Sequence, residues 1–366
     1  MKTRSKVKKM LLSSLILLMS LSLLAACSTN SKNNGTTAKE NNNSSTTQSS
    51  NEGESGGTKK HAIIFKNTGN PYGEKMMQGF EKAVVAMGHE AILKAPDQPT
   101  AEAQIQMIEE LIAQKVDSIS IAANDNDALQ PALKKAMDRG IKVLSLDSAA
   151  NAQSRMVHVN QADPERIGRT LISGISEMID GEGQIAILSA TSQATNQNIW
   201  IEWMQKELED PKYANIELVK VAYGDDLRDK SVSETEALLK SYPDLKGIIA
   251  PTTVGIAAAG KVLTDKGLKG KVQLTGLGLP SEMAEYIENG VCQWMYLWNP
   301  IDVGELAGHT AEALVNGTIT GQVGDIFNAG TLGDMSVVED AEGTQIMLGD
   351  PYKFDASNIA EWKDVY

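Results

Sequence analysis

The sequence predicts an α/β protein built as two similar lobes, each a parallel sheet flanked by helices, joined by hinge strands. Three observations carry this expectation. Short apolar, β-branched runs alternate with amphipathic helical stretches at a spacing of about 25–30 residues, the pattern of right-handed βαβ units. The alternation stalls after a short strand expected at Met156–Val159 and restarts in the same order at Asp163. No Pro/Gly/Ser-rich linker separates the two halves. At 366 residues the chain has the length for two such lobes and a large core.

The first 26 residues are set apart from this pattern. Lys2, Arg4, Lys6, Lys8 and Lys9 precede an apolar run from Met10 to Leu24. That is a secretory signal, too short and too asymmetrically flanked for a membrane-spanning helix. Leu24-Ala25-Ala26-Cys27 resembles a bacterial lipobox, which implies that Cys27 becomes the lipidated first residue. Cys292 would then have no disulfide partner, since these are the two cysteines of the chain. Residues 27–60 are rich in Ser, Asn, Thr, Gly and Gln and too polar to bury a core, so they read as a disordered tether. Net charge is −13; the signal contributes +5, leaving −18 for the remainder. An acidic body without a Lys/Arg cluster argues against nucleic acid as a partner.

From His61 the elements follow in order. Strands are expected at 62–65, 91–93, 118–122 and 142–146, with helices at 74–87, 101–114 and 129–138 between them. The first helix places Met77, Phe80, Val84 and Met87 on one face; the second does so with Ile105, Ile108, Leu111 and Ile112. After the restart come a helix at 164–179 and a strand at 185–188. The remaining expectations are helices at 198–209, 230–241, 256–266 and 281–289, and strands at 216–222, 247–250, 272–276 and 292–297. A helix over 302–315 should carry the chain back to the first lobe. The expected N-terminal lobe is 61–160 plus about 299–325, and the C-terminal lobe 161–298 plus about 326–366.

Candidate site residues lie in polar loops at the carboxyl ends of strands, where open α/β sheets bind ligands. The most informative stretch is Gln184 to Glu202. A buried strand there gives way to Ser, Thr, Gln and Asn residues that include Asn196 and Gln197, and then to a helix carrying Trp200. Neutral amides and hydroxyls beside an indole suit a ligand with many hydroxyls and no net charge. Lys66, Asn70 and Tyr72 follow the first strand; a surface turn with a capping Asn would use the same residues. Asp147 ends an apolar strand and can accept two sugar hydroxyls at once through charge-assisted hydrogen bonds. Pro251 and Thr253 precede a small-residue helix that Thr252 could cap. Trp294, Tyr296 and Trp298 alternate; a core stripe explains such a pattern, yet Trp298 and Asn299 fall where the chain should cross between lobes and an indole there could stack on a sugar ring.

Catalytic constellations are not found. The four histidines, His61, His89, His158 and His309, are scattered along the sequence. No GxSxG, P-loop, HExxH or CxxC occurs, and Gly276-Leu277-Gly278 does not extend to a dinucleotide fingerprint. A binding protein without cofactor or metal is the expectation, not an enzyme.

Taken together these motifs resemble a family. From about Lys60 to the C-terminus the chain resembles the type 1 periplasmic solute-binding proteins of sugar ABC transporters. The residues that carry this are Asn70-Pro71-Tyr72, Leu146-Asp147-Ser148 and Ile248 to Pro251. Within the family it is most similar to the rhamnose-binding branch, on Ala194 to Asn198, Ile249 to Gly255, Gly276 to Met283 and Met295 to Pro300. The resemblance implies capture of a neutral monosaccharide, L-rhamnose foremost, between closing lobes. It also implies delivery to a membrane permease by a monomeric, lipid-anchored protein on the outer face of the cytoplasmic membrane. A neighbouring branch binds the furanose-type quorum-sensing autoinducer. Its contacts would fall on Lys66, Asp147, Asn196, Gln197, Pro251 and Thr253. That branch has Asp where this chain has Asn196 and Ala where it has Thr253. Ribose or xylose are further alternatives within the same architecture.

Overall fold

The computed structural model describes residues 57–366; the expected signal sequence, Cys27 and nearly all of the expected tether lie outside them. The first lobe is built from β1 (Lys60–Ile64), α1 (Pro71–Ala86), β2 (Glu90–Lys94), α2 (Ala101–Gln114), β3 (Ser118–Ile121), α3 (Asn126–Asp138), β4 (Lys142–Leu146) and β5 (His158–Asn160). The second follows with α4 (Pro164–Met178), β6 (Gly183–Ser189), α5 (Thr195–Leu208), β7 (Ile216–Tyr223) and α6 (Arg228–Ser241). It continues through β8 (Leu245–Ala250), α7 (Thr253–Asp265), β9 (Gln273–Gly276), α8 (Pro280–Glu288) and β10 (Trp294–Leu297). The strands of each lobe pair in parallel, β2-β1-β3-β4-β5 in the first and β7-β6-β8-β9 in the second. The two-lobed α/β class expected from the alternation is what is observed, and with it the architecture that the resemblance to type 1 periplasmic binding proteins implied. Strands such as Ile185–Leu188 and Ile248–Ala250 are buried on both faces, as central parallel strands must be.

After β10 the chain returns to the first lobe as α9 (Pro300–Val315), which packs along α1. The approach is close because it is made of glycines. A Cβ on Gly304 would lie 1.8 Å from the Met76 carbonyl oxygen, and one on Gly79 2.0 Å from that of Ile301. The tail then departs from expectation. β11 (Ile326–Asn328) and β12 (Asp334–Ser336) form a small hairpin; β13 (Val338–Asp340) and β14 (Gly343–Met347) join the first sheet, β14 running parallel to β5. Only β15 (Tyr352–Asp355), antiparallel to β10, and α10 (Ile359–Trp362), packed near α8, sit on the second lobe. The expectation that everything after about 326 belongs to the second lobe is corrected by this pairing. The unpaired edge of β5 needs a partner for its backbone groups, and β14 supplies it.

At the amino end of β1 the fold assembles residues that are far apart in sequence. His61 and His89 both point Nε2 at Glu312 Oε2, at 3.1 and 3.3 Å. His61 Nδ1 meets the Ser118 hydroxyl at 2.8 Å, and the Lys59 N–H donates to His89 Nδ1 at 3.3 Å. An acceptor role at His89 Nδ1 places that ring's proton on Nε2, facing the carboxylate. Burial lowers the His61 pKa against the pull of Glu312.

Candidate ligand-binding site

The cavity between the lobes is walled by strand ends. From the first lobe come Phe65, Lys66, Asn70, Tyr72 and Asp147; from the second, Asn196, Gln197, Trp200, Asp226, Pro251, Thr252, Thr253, Leu277, Leu297 and the crossing residue Trp298. They close around a small cavity of about 40 Å³.

One hydrogen-bonded network organises the wall. Lys66 Nζ pairs with Asp147 Oδ2 at 3.0 Å. The Tyr72 hydroxyl donates to Asp147 Oδ1 at 3.1 Å, and Trp298 Nε1–H donates to the Tyr72 hydroxyl at 2.7 Å. Across the cleft, Asn196 Nδ2 donates to Asp147 Oδ2 at 3.3 Å and Lys66 Nζ donates to Asn196 Oδ1 at 3.4 Å. Lys66 and Asp147 are 5% and 4% exposed, so this is a desolvated pair, and such charges need every contact they have. Burial, and next the Asp147 carboxylate, hold the Tyr72 pKa well above the ordinary phenol range, so the hydroxyl stays a donor. Asp147 adopts φ of 58°, the left-handed region, while its N–H donates to Val159 O at 3.2 Å. Backbone of this kind persists where surroundings over-determine it, and it turns the carboxylate off the strand into the cleft. The rings complete an apolar wall: Trp298 stands edge-on to Trp200, with centroids 5.8 Å apart, and to Tyr72 at 6.4 Å.

Ten of the eleven residues expected at the site are brought together here: Lys66, Asn70, Tyr72, Asp147, Asn196, Gln197, Trp200, Pro251, Thr253 and Trp298. Asn299 is not among the lining residues. Its carboxamide accepts the Ile301 N–H at 3.0 Å and caps α9, the ordinary role of Asn before Pro at a helix start. Asn70 serves twice, capping α1 through Oδ1 while Nδ2 has no partner among the described residues. Gln197 is similar: Oε1 accepts from Ser189 Oγ and Ala190 N at 2.6 and 2.8 Å, and Nε2 is left over. Thr252 caps α7, as the sequence allowed. Trp294 and Tyr296 face α4 instead of the cavity, within 3.3 and 3.1 Å of the position of a Cβ on Gly174.

Asp226 was missed by sequence reasoning. It accepts a hydrogen bond from Thr252 Oγ1, and burial raises its pKa. In Gly224-Asp225-Asp226-Leu227-Arg228-Asp229-Lys230 it reads as one charge in a solvated turn, and nothing in the composition marks it.

Residues 61–319 match the periplasmic binding protein domain. The chain belongs to the periplasmic binding protein family. A solute-binding protein of an ABC transporter from Clostridium phytofermentas, solved with bound L-rhamnose, is 50% identical with a TM-score of 0.83, over 84% of this chain and 99% of that one. LsrB from Clostridium saccharobutylicum, in complex with AI-2, has a TM-score of 0.78 at 22% identity, over 83% and 99% of the chains, and shares the fold. A D-ribose/D-allose-binding protein of Pseudomonas aeruginosa is 25% identical over 185 residues, 49% of this chain. The match spans 57% of that relative's length. This periplasmic binding protein thus has the resemblance its motifs implied, to sugar-transporter receptors and to a rhamnose-bound member among them.

Proposed function

We propose that this protein is a transport receptor that captures one neutral monosaccharide, L-rhamnose foremost, between its lobes and presents it to an ABC permease. The observation that carries the reading is the set of polar groups left over on the cavity wall. Asn70 Nδ2, Gln197 Nε2, the Thr253 hydroxyl and one oxygen of Asp226 have no partner among the described residues, beside the apolar faces of Trp200 and Trp298. Hydroxyls and a ring face are what such groups fit. The 50% identical relative with bound L-rhamnose supports the choice of sugar.

Closure is part of the reading. Asn196 meets Lys66 and Asp147 only when the lobes approach, so a sugar seated between them adds affinity to the closed form alone and shifts the equilibrium toward it. The permease would read the closed pair of lobes. The signal sequence and the lipid on Cys27 belong to the same reading and hold the body, as a monomer, at the outer face of the cytoplasmic membrane. Mass spectrometry of Cys27 tests the lipid: an unmodified thiol in the mature membrane-associated protein would remove the anchor.

Thermal-shift titration with L-rhamnose, ribose, xylose, glucose and AI-2 tests the ligand, because a molecule that binds the folded form alone raises the melting temperature by mass action. A saturable shift with L-rhamnose is expected. A shift with AI-2 alone would make the protein a signal receptor, and a shift with ribose or xylose alone would move it to a pentose importer.

A further inference from the structure

We propose that Asp226 is a ligand-contacting residue of the second lobe, its carboxylate accepting a hydroxyl of the bound sugar opposite Asp147. This inference rests on the sugar-receptor reading and extends it to a residue outside the motifs that carry the family resemblance.

The backbone is the first observation. Residues 224–227 form a turn closed by the Leu227 N–H donating to Gly224 O at 3.0 Å, and both central residues take positive φ, 55° at Asp225 and 52° at Asp226. Turns with two such central residues are dominated by Gly, Asn and Asp, so the backbone accepts an aspartate here without itself calling for a carboxylate on the cavity wall. The turn is also pinned, through Gly224 N–H to Ser189 O at 2.8 Å and Asp225 N–H to Ala190 O at 3.1 Å, so it cannot relax by drifting from β6.

The side chains separate the two aspartates. Asp225 is paired with Lys230 on the first turn of α6. Asp226 has no cationic partner within ion-pair distance among the described residues. One oxygen accepts from Thr252; the other has no hydrogen bond and the residue lines the cavity. A half-used carboxylate on a cavity wall is costly to keep unless something else uses it. A neutral sugar supplies the missing donor. A sugar acid, with its own carboxylate, would be repelled by the same group, so Asp226 also acts as negative selection against anionic ligands.

The test compares the wild-type protein with Asp226→Gly and Asp226→Asn by calorimetric titration with L-rhamnose and by melting of the unliganded proteins. Asp226→Gly suits the turn, so its melting temperature should equal or exceed that of wild type while L-rhamnose affinity falls by about tenfold or more, as for a lost hydrogen bond to a charged group. Asp226→Asn keeps one acceptor and should fall between the two. Wild-type affinity in Asp226→Gly overturns the inference. So does a loss of affinity matched by a lower melting temperature in both variants, which marks a structural role. If the wild type binds none of L-rhamnose, ribose, xylose and glucose, the receptor reading itself fails and this inference with it; binding of another of these sugars leaves the same comparison to be made with that sugar.

Discussion

Strand β1 carries a charged cluster at each end, and the two differ in what they leave over. At the amino end, His61, His89, Glu312, Ser118 and the Lys59 amide satisfy one another, each imidazole nitrogen having a partner. At the carboxyl end, Lys66, Asp147, Tyr72 and Trp298 are just as tightly joined, but they border a cavity with unspent donors and acceptors. The first cluster clips the start of the strand to α9. The second braces the wall of a cleft. Buried charge by itself does not mark a site; incomplete satisfaction around a cavity does.

The contrast breaks most readily at Asp147. Asp147→Ala should lower sugar affinity by roughly a hundredfold or more, about 3 kcal/mol, since it removes a charged acceptor and strands Lys66 without its partner. Titration calorimetry reads the first effect and melting of the unliganded protein the second, which should also fall. Unchanged affinity would remove Asp147 from the site.

Acid should act on the histidines and hence on stability. Burial lowers the His61 pKa, and burial followed by Arg155 lowers that of His158 well below the ordinary 6.5. Both rings are neutral in the folded chain but take up protons in the unfolded one below pH 6.5, so the unfolded state binds more protons there. Stability is therefore present above that pH and lost as pH falls through it, at up to ~1.4 kcal/mol per pH unit per group. Melting temperatures between pH 7.5 and 5.5 should decline; a rise would refute the assignment of neutral rings.

A smaller effect is expected from Trp298→Phe, which keeps a ring but deletes the donor to the Tyr72 hydroxyl. About 1 kcal/mol of affinity, roughly fivefold, should be lost. Glu312→Gln should cost the least: under ~1 kcal/mol of stability, because Oε1 of Gln still accepts, and no sugar affinity at all. Any change in Kd for Glu312→Gln would show the two ends of β1 to be coupled.

Much of this was legible in the sequence because the residues advertise their positions. Asp147 closes an apolar strand, and Asn196 and Gln197 open a helix after another; strand-end placement follows from the βαβ pattern alone. Asp226 was not legible, since its place on the cavity wall depends on a turn that a run of charges conceals. Asn299 was over-read: its place before Pro300 and Asp302 was already the signature of a cap. Short strands such as Val338–Asp340 and Gly343–Met347 carry too little pattern to say which sheet edge they complete, and that depends on the open side of β5.

The late return of β14 to the first lobe has a bearing on timing. The strands of the first sheet come early in the chain, yet β5 gains its partner only with residues 343–347. Pairings this distant along the chain are slow to form. Until those residues are in place the first lobe holds an exposed strand edge, so its completion depends on a segment that follows the whole second lobe in sequence.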